Sequence, residues 1–422
     1  SKAMKQKQVC LTYFLLFALV SISYGTGVIR KHYVAVEEVI WDYAPSGMNK
    51  ISGLGITEDE HSATFFEESP ERIGGKYIKA IYKAYTDSSF SQLLEDDDDM
   101  RHKGILGPIL WGEVGDTLQI FFRNNGRFNY SMHPHGVFYS KESEGAIYPD
   151  GVLPAGDSIA PGDQYIYTWP IPGRAGPGPG DWSSLIWTYH SHVVETKGTN
   201  SGLVGAIVVT AKGFAHPNGR PKDVDREAFL FYTVFDENNS LYLNENIEEF
   251  LGEVPEELLE DGDFQESNLM HALNGYLYGN MPELKFQLGE RVRWYILAMG
   301  SEVDIHAAHW HGNSLLVNRD QRVATEIIVP GTTATLDMIP DSVGTWMVEC
   351  HINDHLGGGM LDFYTVEGTM KQRNYASMSD PFYFLWDSQS RETTSSQSSS
   401  SPGSQNLPLV VWLCWLLFFC CN

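Results

Sequence analysis

The sequence predicts an all-β chain built of β-sandwiches, on two observations. Short apolar-aromatic runs such as DTLQIFFRN, GAIVVTA, AFLFYTVF and RVRWYILAM are cut by Gly, Pro, Asn and Asp, and long helical periodicity is scarce. The second observation is a weak internal repeat. GDTLQIFF (115–122) answers GERVRWYI (289–296), HPHG (133–136) answers HWHG (309–312), and GDQYIYTWPIP (162–172) answers GTTATLDMIPD (331–341). YHSH (189–192) followed by SGLVGAIVV answers ECH (349–351) followed by GGGMLDFYTV. Landmarks recurring in one order point to duplication, with domain 1 at 27–213 and domain 2 at 224–368.

The two ends read as processing signals. Residues 1–25 join a basic start to a short apolar run and small residues, the pattern of a secretory signal peptide. Residues 369–406 lose the apolar pattern and become a Ser-rich stalk, and 407–422 form a terminal apolar tail without a basic flank. That combination reads as a GPI-anchor signal, with a tail-anchored span as the alternative. The expectation is an extracellular, cell-surface protein tied to the membrane by a GPI anchor. Two N-x-S sequons start at Asn129 and Asn238. Asn238, in a polar turn, is the expected glycan acceptor, and burial near His133 is expected to exclude Asn129.

Composition narrows the function. The net charge of −25 argues against nucleic acid as a partner. Acids concentrate at 95–99 and across 245–266, which reads as solvated loop or as steering for a cationic substrate. Of five cysteines, only Cys350 lies outside the two terminal segments. No disulfide framework can form within the mature chain. Cys350 is then a buried hydrophobe, an intermolecular bridge or a metal ligand.

Its neighbours favour the last. His133 and His135, His190 and His192, and His309 and His311 form three H-x-H pairs at the repeated landmarks. Residues two apart on a strand share a face, so each pair offers two imidazoles to one region. Cys350, His355 and Met360 form a C-x4-H-x4-M loop, with His306 on the preceding HAAHWH stretch. Two His, one Cys and a distant Met are the ligands of a blue copper site. Glycines 357–359 allow the loop to fold back. His351 follows Cys350 and points the opposite way on a strand, toward a second cluster.

HGVFYSKESEGAIYPDG (135–151), YHSHVVETKGTNSGLVG (189–205), FQESNLMHALNG (264–275), VDIHAAHWHGN (303–313) and GTWMVECHINDHLGGGM (344–360) resemble the multicopper oxidases, specifically the ceruloplasmin–hephaestin ferroxidases. The resemblance implies two cupredoxin-like Greek-key β-sandwich domains. It implies a type 1 copper held by His306, Cys350, His355 and Met360, and a type 2 copper held by His133 and His309. One type 3 copper would take His135, His190 and His351, and the other His192, His311 and whatever stands at 349. There the sequence departs from the group: H-C-H is replaced by E-C-H, with Glu349 as a substituted ligand or the mark of an incomplete cluster.

Ser191 stands where domain 2 has Cys350, so domain 1 has no type 1 site. A two-domain chain of this kind is expected to build its clusters between subunits of a homotrimer, an intramolecular cluster being the alternative. Glu266, His271 and Asp354 match the group's Fe(II) site. The implied activity is oxidation of Fe(II) with reduction of O₂ to water, relayed through Cys350 and His351. A laccase-like oxidase of phenols or amines and a copper-binding or electron-transfer module are the alternatives, with copper nitrite reductase ranked last. Calcium binding near KESEGAIYPDG is left open.

Overall fold

The computed structural model describes residues 27–368; the signal peptide, stalk and anchor tail expected from the sequence lie outside them. The described part is β-rich. It is not purely strand, because short helices occur in its connections, the longest being Leu243–Phe250. Among the described residues no helix is long and apolar enough to cross a membrane.

Four principal sheets carry the architecture. The first orders the strands Lys76–Tyr85, Ile29–Asp42, Thr117–Asn124 and Gln164–Pro170, and the second orders Ile109–Glu113, Val204–Thr210, Ser184–His190 and His133–Pro134. In the second half of the chain, Leu269–Leu273, Arg226–Asp236, Val292–Ala298 and Thr333–Met338 repeat the first order, continued by Leu315–Val317 and Gln321–Val323. Leu284–Gln287, Leu361–Glu367, Gly344–Cys350 and His306–Trp310 repeat the second, with Thr325–Ile328 added at the edge. The strand senses repeat too. Ile29–Asp42 runs parallel to Thr117–Asn124, as Arg226–Asp236 does to Val292–Ala298. The repeated landmarks of the sequence therefore occupy equivalent strands.

Period-2 alternation explains why these segments form strands. Thr117–Asn124 alternates half-buried and buried positions, placing Leu118, Ile120 and Phe122 inward. Val204–Thr210 and Val292–Ala298 are buried throughout and read as continuous apolar runs. One buried cluster gathers first-half residues such as Trp169, Tyr167 and Phe122. Another gathers Trp294, Trp310 and Tyr364 around Cys350 and Met360, so the thiol lies within a packed core.

A third apolar cluster joins the halves, bringing Tyr43, Phe65 and Ile105 against Phe229, Met270 and Tyr295. Two polar networks cross the same boundary. Lys79 pairs with Glu237, both fully buried; Tyr43 Oη donates to Glu237 at 2.5 Å, and the Lys79 ammonium faces the Phe235 ring. Burial pushes the Lys79 ammonium down and the Glu237 carboxyl up from their ordinary ranges. Arg293 binds Asp337 at 2.7 Å and donates to Ser183 and Ser184 of the first half at 2.7 and 2.8 Å.

Removing one member of a buried pair strands the other in low dielectric. Lys79→Met is expected to destabilise the protein by about 3–5 kcal/mol, read as a fall in the urea midpoint. Replacing Lys79 and Glu237 together by apolar residues is expected to recover much of that loss.

Candidate metal centre

The loop after Cys350 closes on itself through its backbone. Cys350 N donates to Met360 O at 2.9 Å, and Met360 N donates to His355 O at 2.9 Å. His355 sits on the short helix Asn353–Gly357 between them. Two of the three glycines are sterically required. A Cβ on Gly358 would lie 2.6 Å from the His271 ring, and Gly359 adopts φ +104° against Tyr278; Gly357 has open space.

This closure brings His306, Cys350 and His355 together, all buried. The two Nδ1 atoms are 3.2 Å apart and lie 3.8 and 3.4 Å from Cys350 Sγ. Met360 is fully buried in the same core. Ala307 N donates to Cys350 Sγ at 3.4 Å, which favours the thiolate, while burial pushes the metal-free thiol upward.

Strand register then splits the chemistry between two faces. On His306–Trp310, His306, Ala308 and Trp310 are buried and His309 is on the other face. Ala308 pairs with Cys350, and His309 pairs with Glu349. Glu349 and His351 flank Cys350 and face away from it. Glu349 Oε1 lies 2.7 Å from His351 Nδ1 and 3.5 Å from His311 Nε2, and the His309 ring lies edge-on to that of His311 and tilted to that of His351, with centroids 4.8 and 5.0 Å away. His309, His311 and Glu349 form a second set of convergent ligand atoms.

The first half repeats the second face. His133 pairs with His190 as His309 pairs with Glu349, so Glu349 stands at the position of a histidine in the other half. His133, His135 and His190 form the third set, with His135 Nε2 and His190 Nε2 3.1 Å apart. His192 lies beside His133, ring centroids 5.2 Å apart. His133 Nδ1 donates to Glu144 O at 2.7 Å and His309 Nδ1 to Ala324 O at 2.9 Å, leaving each Nε2 for a ligand. Among the described residues, no hydrogen bond or ring contact joins the first-half histidines to His309, His311, Glu349 or His351.

These sets suit copper. A thiolate with two imidazoles and a buried thioether is a soft donor set, and the imidazole-rich sets suit the same metal. Glu349 Oε2 and His311 Nε2 are buried without a hydrogen-bond partner, as expected of groups that face a cation.

Glu266, His271 and Asp354 are not among the groups whose ligand atoms all converge within 4.8 Å. Glu266 and Asp354 are exposed. His271 is buried with Nδ1 unpartnered, and its ring lies 5.6 Å from that of His355. Near KESEGAIYPDG, the Lys141 ammonium pairs with Glu144 and Asp150, filling the space between those carboxylates. Asn129 is exposed rather than buried, and its amide donates to Ser158 Oγ at 2.9 Å; Asn238 is half-buried, donates to Asp236 and Gln265 and accepts from Asn268.

Two carboxylates escaped the sequence reading. Asp304 Oδ1 lies 3.4 Å from His306 Nε2, while its carboxylate accepts from Val234 N and Ser301 N. Its signal was the D-x-H spacing, which sets an acid just ahead of the strand that begins at His306. Glu195 Oε2 lies 3.1 Å from His192 Nε2, which holds the Glu195 carboxyl down at about 2. Its signal was the three-residue spacing from His192.

Comparison with known proteins gives a consistent family. Two models, both described as multicopper oxidase, match residues 100–213 and 254–368. Human ferroxidase HEPHL1 is 41% identical over 378 residues, covering 89% of this chain and 32% of that protein. Human ceruloplasmin is 43% identical over 352 residues, covering 82% and 33%, and rat hephaestin is 38% identical over 369 residues, covering 86% and 32%. The chain thus spans about a third of the length of these relatives. Among solved structures, the multicopper oxidase mgLAC matches with TM-score 0.53 and 18% identity over 86% of this chain and 95% of that one. Copper nitrite reductase from Nitrosomonas europaea matches with TM-score 0.52 and 18% identity, over 81% and 94%. At that identity the structures speak for the cupredoxin-like fold.

Burial makes the metal-free protein acid-sensitive. His32, His102, His135 and His271 are each pushed from the ordinary 6.5 to about 4, chiefly by desolvation. With a folded pKa below the unfolded one, a histidine binds more protons in the unfolded state between those values. The urea midpoint of the metal-free protein is expected to fall steadily as pH drops from 6.5 to 4.

Proposed function

The chain belongs to the multicopper oxidase family, and from that premise we propose that it is a ferroxidase, oxidising Fe(II) to Fe(III) and reducing O₂ to water. The observation that carries this reading is the alternation about Cys350: the thiol joins His306 and His355, and the next residue, His351, joins His309 and Glu349 on the other face. We assign two cupredoxin-like Greek-key β-sandwich domains, at 27–213 and 224–368, as the scaffold.

His306, Cys350, His355 and Met360 would hold type 1 copper. His133 and His309 would hold type 2 copper, and His135, His190, His351, His192, His311 and Glu349 the type 3 pair. Bound copper supplies one-electron acceptance beside the substrate and oxygen reduction at the cluster. The residues of the chain supply the rest. One peptide linkage connects the Cys350 and His351 side-chain sites, and Glu144 O and Ala324 O fix the tautomers of His133 and His309.

Glu266, His271 and Asp354 are the proposed Fe(II) ligands. The proximity of His271 to His355 supports this placement, and the exposure of both carboxylates leaves them open to an incoming cation. Carboxylates favour a hard ion, which distinguishes iron from a phenol. The acidic surface would concentrate cations around the site.

The two histidine half-sites, each incomplete, support a homotrimer in which one subunit's first half meets another's second half. Exposed apolar residues flank both. Phe138 and Val194 follow His135 and His192, while Ile327 lies two residues from Thr325, which bonds His309. An extracellular location with a GPI anchor completes the proposal.

The test is oxygen uptake by the copper-loaded full chain on adding Fe(II). Copper-dependent uptake is expected, falling to background in Cys350→Ser. A blue chromophore with no oxygen consumption would instead establish an electron-transfer or copper-binding protein. Asp354→Ala is expected to raise KM for Fe(II) by about tenfold or more while leaving any phenol oxidation unchanged, since a charged contact to the ion is lost. Sedimentation of the copper-loaded protein is expected to give a trimer, and a monomer retaining cluster copper would refute the shared-site assembly.

A further inference from the structure

Glu195 is the first residue of the short helix Glu195–Asn200, three residues after His192. The helix is preceded by Val194, whose apolar side chain cannot cap it. The Glu195 carboxylate turns to the histidines. Its oxygens lie 3.1 Å from His192 Nε2 and 4.0 Å from His190 Nε2. His190 is fully buried, and the same Nε2 atom lies 3.1 Å from His135 Nε2. The carboxylate therefore lies at the edge of the space where the first-half ring nitrogens converge.

In the second half, the acid at the position equivalent to His190 is already engaged. Glu349 commits Oε1 to His351 Nδ1, so only Oε2 is free to face an ion. The ion facing His192 and His311 is thus the one that lacks an imidazole, and Glu195 is the group beside His192. A half-exposed carboxylate also meets no desolvation barrier against turning from an imidazole to a metal.

We propose that Glu195 is a carboxylate ligand of the metal ion held by His192, making up for the histidine that Glu349 replaces. This rests on the copper-cluster reading above. The resulting ion would have a mixed imidazole–carboxylate donor set, harder than that of an all-histidine site. The competing account is an exposed His–Glu ion pair, which would add little to anything.

The test is copper titration of the full chain against a competing chelator, comparing wild type, Glu195→Gln and Glu195→Ala. Copper content per chain is read by elemental analysis, and the blue absorption of the Cys350 site reports an intact fold. Both variants are expected to keep the blue absorption and to hold cluster copper on the order of 10–100-fold more weakly, the scale seen when a metal site loses a supporting group. Unchanged affinity in both variants, with wild type carrying cluster copper, would overturn the ligand role and leave the copper reading standing. A wild type that takes up only the blue copper would overturn the copper-cluster reading, and the ligand role with it.

Discussion

The register that pairs Ala308 with Cys350 and His309 with Glu349 is the constraint on which the rest depends. Strand side chains alternate, so this one alignment sends His306 and Cys350 into the core and His309, Glu349 and His351 to the opposite face. A slip by one residue would exchange the two sets and bury imidazoles that have no partner there. The core enforces the alignment. Trp310 and Val348, opposite each other in the same strand pair, are both buried, so any slip would also expose an indole. The two ligand sets are thus fixed by hydrophobic packing, before any metal contributes.

The same logic repeats across the halves, with one difference. His133 opposite His190 is the first-half version of His309 opposite Glu349. Ser191 occupies the place of Cys350, and its hydroxyl accepts from Ser131 N at 3.2 Å. Ser131 Oγ in turn donates to Gly145 O and accepts from His192 N. A structural hydroxyl network stands where the other half has a metal-binding thiol. The two halves share the backbone pairing and most of the outward histidines, and the inward position is polar in the half that has no thiol.

Much of this was legible in the sequence because it depends on short spacings. The H-x-H pairs and the loop after Cys350 need only strand periodicity and one turn, and the structure brings together His133 with His135, His309 with His311, and Cys350 with His355. The repeat landmarks fall on equivalent strands for the same reason. What the sequence did not disclose depends on distant contacts. Asn238 looked like an open turn residue, yet its amide is held by Asp236, Gln265 and Asn268, the last two from a segment far along the chain. Lys79 and Glu237 are separated by 158 positions, and nothing local marks either as buried. The all-β expectation omitted the connecting helices because each is too short to show a period.

The proposed sharing of the histidine half-sites also bears on how a protein of this charge would associate. A net charge of −25 opposes subunit contact, and exposed apolar side chains such as Phe138 and Ile327 offset only part of that repulsion. A cation shared by two half-sites changes the balance locally. In the proposed assembly it would neutralise Glu349 and Glu195 where two subunits would bring them near each other, and its binding free energy would add to association. The carboxylates that weaken the histidine character of the cluster would therefore make assembly depend more strongly on metal. In the proposed arrangement an unloaded subunit would stay apart, and oxygen chemistry would be confined to the assembled, metal-filled state.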